Sequence, residues 1–173
     1  MKAQLLGALL LAIGLPLHAQ QAITPQRDIT RISTNGIELQ MLYTEIGWNN
    51  PHTHRALTFF RTNDKGPAQQ IPLEINEKFV STLQLESGPE CAISGFRAFM
   101  LKSGLRLIYA EREGYWADSR RVTFTVLELK ENDDPESDSA PILSFRQVNK
   151  FTSQRNFCDA DKAMDAEIAR LRR

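Results

Sequence analysis

Polar and apolar positions alternate with a period of two along much of this chain, which puts every second side chain on one face of an extended strand. Ile37–Ile46 (IELQMLYTEI) alternates in this way after the turn signal Asn35-Gly36. Gly47–His54 reads as a loop, and Arg55–Thr62 (RALTFFRT) as a second strand. After the turn Asn63-Asp64-Lys65-Gly66 comes Ala68–Ile75, placed at an edge because Pro72 has no N–H to give a ladder. Phe79–Glu86, Cys91–Leu101 and Leu105–Arg112 follow, the last two joined tightly at Ser103-Gly104 as the clearest hairpin in the sequence. In Arg121–Leu129, Val122, Phe124 and Val126 share a face with Glu128, while Thr123, Thr125, Leu127 and Leu129 share the other. Apolar residues on both faces predict a central strand. Glu131–Pro141 is acidic and turn-rich and reads as locally disordered, and Ile142–Thr152 closes the run of strands.

The period becomes helical only at the end. In Asp159–Arg173 the residues Ala160, Met164, Ile168 and Leu171 form one apolar stripe, Asp159 can cap the first turn, and three arginines suit the negative end of the helix dipole. The expectation is a mainly β fold of seven or eight strands, an antiparallel meander or sandwich-like sheet with one C-terminal α-helix on a face.

The first residues read as an address. Met1-Lys2 gives a positive start, and Leu5–Leu17 is a 13-residue apolar stretch. That is shorter than the roughly 20 residues needed to span a bilayer, so no stable membrane anchor is expected. Pro16 and Ala19 suit a secretory signal cut after Ala19, with Ala22 a second option. Residues 20–173 then form a single secreted β-rich domain, and the short leader points to the periplasm.

That compartment changes the reading of Cys91 and Cys158. In an oxidising space an even pair more often bridges than stays free. The bridge would close a loop of 67 residues and tie the helix to the sheet.

Charge excludes one class. The chain holds 21 basic and 21 acidic residues, and removing residues 1–19 takes away only Lys2, leaving 20 against 21. A nucleic-acid binder usually carries a basic excess or face, so none is expected.

Candidate chemistry is sparse. His52-Thr53-His54 would point two rings the same way in extended backbone, but no third histidine follows the leader, so a metal site would need Glu45 or Asp64. Two exposed loop histidines are the plainer reading, and no metal or cofactor is expected. Lys102-Ser103-Gly104 resembles the K-[ST]-G element of penicillin-recognising serine enzymes, but no serine has Lys three positions on, so a hairpin turn is the better account. Asp133-Asp134-Pro135-Glu136 lacks the order of a calcium loop. The densest polar-aromatic stretch is Arg112–Arg121. Its Arg112, Tyr115, Trp116 and Asp118, with Trp48 and Asn49 from the earlier loop, are the candidate ligand or partner surface. The competing reading is that Tyr115 and Trp116 cap the open end of a β core under stacked arginines.

Several pieces, in order, resemble the CarG-like family of periplasmic carbapenem intrinsic-resistance proteins. They are Trp48-Asn49-Asn50…His54 before the aromatic strand Leu57-Thr58-Phe59-Phe60; Cys91…Phe96-Arg97; and Leu107-Ile108-Tyr109-Ala110. Thr123–Lys130 leading into Asn132-Asp133-Asp134-Pro135, and Phe145…Phe151-Thr152…Cys158-Asp159…Asp161-Lys162-Ala163, complete the set. The resemblance implies a secreted protein that protects against carbapenems without hydrolysing them. The chain lacks the serine and zinc motifs of β-lactamases, so no enzyme is expected. Its partner would be a β-lactam or a periplasmic protein target. The alternative is an inhibitor of a secreted hydrolase such as lysozyme or a protease, work that suits a small disulfide-tied β domain with polar-aromatic loops.

Overall fold

The computed structural model describes residues 21–25, 28–46, 54–62, 66–88, 90–114, 117–132 and 141–171. Among them are twelve strands and one helix: β1 (Gln21–Ile23), β2 (Asp28–Thr34), β3 (Ile37–Ile46), β4 (His54–Arg61), β5 (Gln69–Ile71), β6 (Leu73–Ile75), β7 (Lys78–Val80), β8 (Leu83–Glu86), β9 (Ser94–Leu101), β10 (Gly104–Arg112), β11 (Val122–Glu131), β12 (Leu143–Thr152) and α1 (Ala160–Leu171).

They form two facing sheets. One runs β1-β9-β10-β11-β12-β6-β7. The other runs β2-β3-β4, with β5 and β8 both pairing β4 at different stretches of it. The fold is the expected mainly β, mostly antiparallel arrangement, in its sandwich-like form, with the helix outside the larger sheet. Between the sheets lies the main core, to which Leu39, Met41, Leu57 and Phe59 contribute from one side and Leu105, Leu107, Leu127 and Phe145 from the other. Phe59 and Phe145, both fully buried, meet across it with ring centroids 4.6 Å apart. A second core lies under the helix, where Ala160, Ala163 and Met164 press on Phe99, Ile108, Ala110 and Phe124. β11 sits between β10 and β12 and serves both cores: Val122 and Phe124 face the helix side, Leu127 the other sheet.

The structure departs from the sequence reading in three places. Ala68–Ile75 is two strands, because the chain changes sheets at Pro72: β5 pairs β4, whereas β6 pairs β12 in parallel at Leu73↔Phe145. A proline is tolerated there because its missing N–H falls between ladders, while its carbonyl accepts from the Phe145 N–H at 2.9 Å. Phe79–Glu86 likewise splits into β7 and β8, one per sheet. Two strands precede Ile37. β2 hides its phase: the inward positions are Thr30, Ile32 and Thr34, all buried, while Ile29 faces out at 47% exposure. Residues 133–140, in the acidic stretch expected to be disordered, lie outside the described residues, as does the leader.

The hairpins follow local chemistry. Asn35 (φ 49°) and Gly36 (φ 77°) both take left-handed backbone, the geometry of a two-residue turn between β2 and β3. Cys91 and Cys158 are bridged, with Cα atoms 5.7 Å apart.

Candidate functional site

β1 is the outer strand of the larger sheet, but it is short. Its register against β9 runs from Gln21↔Met100 to Ile23↔Ala98 and stops. Pro25, two residues on, has no N–H with which to continue. Ser94–Arg97 therefore have no strand beside them on that side among the described residues. At this gap a cleft of about 380 Å³ opens between the two sheets, a size within the ordinary range for small-molecule sites.

Both sheets line it. Phe96 from β9 meets Tyr43 from β3, ring centroids 5.6 Å apart and tilted. Arg55, in the second position of β4, sits with its guanidinium carbon 6.0 Å from the centroid of the Tyr43 ring. Leu85 adds apolar wall, and Ser87 and Ser94 add hydroxyls. Ser94 Oγ accepts the Glu86 N–H at 2.8 Å, which fixes the end of β8 to the start of β9.

Two arginines line the cleft, and they differ. Arg97 is spoken for: Nη1 donates to Asp161 Oδ1 at 2.8 Å and to the Phe96 carbonyl at 3.0 Å, and Nη2 donates to Asp165 Oδ1 at 3.1 Å. Partial burial works against its charge, but the bonds and charges of Asp161 and Asp165 outweigh that, and its pKa is raised above the ordinary arginine value. Arg55 has no such neutralisation. Among the described residues no carboxylate lies within ion-pair distance of it, not even Glu45, its register partner. Among the described residues the cleft thus offers a half-buried cation with no ion-pair partner, Arg55, beside an aromatic floor. That combination suits a small anion with an apolar body.

The helix holds this wall in place. Asp159 Oδ1 accepts the Lys162 N–H at 3.0 Å as an N-cap, and its Oδ2 accepts the Ala92 N–H at 3.3 Å. Ala160 N donates to the Ala92 carbonyl at 2.9 Å. With the Cys91–Cys158 bridge, three links tie the start of the helix to the chain entering β9.

The candidates from the sequence are elsewhere. Trp48, Asn49, His52, Tyr115 and Trp116 lie outside the described residues. Arg112, expected on a partner surface, is buried at 3% exposure. Its Nη1 donates to the Asp118 carbonyl at 2.6 Å, so the guanidinium is held against Asp118 inside the fold. Nε of Arg112 is buried without a hydrogen-bond partner among the described residues. Asp118 is at the surface, paired with Arg120 at 2.6 Å. His54 begins β4 opposite Ile46 and Glu86, and among the described residues no three His, Cys, Asp or Glu side chains are grouped to hold a metal. Sequence reasoning missed Arg55, yet the signal was present. In RALTFFRT, Arg55 has the parity of Leu57 and Phe59, so an arginine stands where the core-facing register begins.

No protein-family model matches this sequence, and no curated protein matches it. The structure is similar to the crystal structure of CarG, with a TM-score of 0.71 at 18% identity, over 84% of this chain and 94% of that one. The protein therefore has a CarG-like fold over most of its length.

Proposed function

We propose that this protein is exported to the periplasm after loss of residues 1–19 and gives tolerance to carbapenem antibiotics without hydrolysing them. It does so by binding the drug or shielding its target. The observation that carries this reading is the likeness to CarG, which runs through nearly the whole of that protein. Two features of the chain support it. The Cys91–Cys158 bridge suits an oxidising compartment. The cleft sets Arg55, which has no ion-pair partner among the described residues, beside the Tyr43 and Phe96 rings, and a β-lactam presents the matching chemistry, a carboxylate on a compact bicyclic body.

The test is carbapenem susceptibility with and without the gene, beside drug turnover by the purified mature protein. Sensitisation on deletion with no turnover is the expected result. Unchanged susceptibility would remove the reading, and turnover would replace it with an enzyme.

A further inference from the structure

The open stretch of β9 has a consequence for what the cleft can recognise. A strand edge without a neighbour is a template for another extended chain, whose main-chain groups can continue the ladder. Here the template is four residues long, Ser94–Arg97, between the end of β1 and the Ser87↔Ala92 bridge. One of its acceptors is already used, since the Phe96 carbonyl takes Arg97 Nη1. Most sheet edges are blunted by charge or covered by a loop. This one carries the Arg97 guanidinium at the Phe96 carbonyl, and among the described residues the rest of it borders a cleft lined by Thr24, Pro25, Tyr43 and Leu85, with Arg55 on the facing sheet.

We infer that the cleft binds the carboxyl-terminal end of a short extended peptide: its main chain lies along Ser94–Arg97, its last side chain rests on Tyr43 and Phe96, and its terminal carboxylate meets Arg55. The dimensions agree. An extended peptide advances about 3.3 Å per residue, so two or three residues fill about 10 Å of strand, which suits a cleft of about 380 Å³. The charges agree as well. Arg97 is paired with Asp161 and Asp165, whereas Arg55 has no ion-pair partner among the described residues, and a free carboxylate is the group that would supply one. The inference uses the cleft of the carbapenem reading but does not rest on that reading.

The experiment titrates the mature, disulfide-intact protein with N-acetyl-trialanine bearing a free carboxylate, and with the same peptide as its terminal amide. Calorimetry gives affinity, and amide NMR gives location. The acid is expected to bind and to shift the Ser94–Arg97 amides, with the amide form weaker by about tenfold or more. Arg55→Gln should lose that preference, and Arg55→Lys should keep part of it, with both variants folded by circular dichroism. Equal affinity for acid and amide, no binding of either, or unchanged binding by Arg55→Gln would overturn the inference. A carbapenem titrated against the same samples keeps the two ideas apart, because drug binding without peptide binding leaves the carbapenem reading standing.

Discussion

Single atoms decide how the helix meets the sheet. A Cβ added at Gly95 would lie 2.5 Å from Asp161 Oδ1 and 2.9 Å from Met164 Cε, so any side chain there forces the ion-paired Asp161 carboxylate and the buried Met164 methyl to move. Gly95→Ala is expected to destabilise the protein by about 1–3 kcal/mol in urea denaturation, the range for overpacking a close contact. Gly66→Ala, with nothing within 4 Å, should be close to neutral and serves as the control. The two cleft arginines make a second contrast. Arg97→Gln removes two ion pairs that are partly screened by solvent and should cost about 0.5–1 kcal/mol. Arg55→Gln breaks no ion pair among the described residues and should shift the thermal midpoint less. At this scale the sequence was only partly legible. The parity of Arg55 could be read, but the pairing that separates it from Arg97 depends on Asp161, 64 residues further on.

The elements were more legible where a local signal set them. Ile37–Ile46 was read to the residue, and the helix was found from its apolar stripe and its Asp159 cap. The stripe was incomplete. Ala163 and Glu167 are also buried, and an alanine and a glutamate carry little hydrophobic signal. Strands whose limits are set by distant partners were not legible. β5 and β6 look continuous in sequence but belong to different sheets, and no local pattern says so. The start of α1 is held from outside, so its stability is predicted to depend on those links. Replacing both Cys91 and Cys158 by Ala should lower stability by about 2–4 kcal/mol, read from urea unfolding of each form. Asp159→Ala should cost about 1 kcal/mol more in that background by the same measurement, because the cap and the bond to the Ala92 N–H go together.

Across the whole molecule, the two sheets are joined by packing rather than by hydrogen bonds between their long strands, and Phe59 against Phe145 is the centre of that packing. Phe59→Ala should cost about 3–5 kcal/mol in equilibrium unfolding, with one cooperative transition because neither sheet has another partner for its inner face. The switch at Pro72 carries a further meaning for a chain that emerges from its N-terminus. β6 waits for β12, whose Phe145 lies 72 residues beyond Leu73, and β1 waits for β9, whose Met100 lies 79 beyond Gln21. Neither pair can close until most of the polypeptide is available. The larger sheet is therefore completed only when β12 has been delivered, late in the emergence of the chain, whereas β2, β3, β4, β5 and β8 can pair as soon as Glu86 is out, so the smaller sheet is available first as the surface on which the larger one closes.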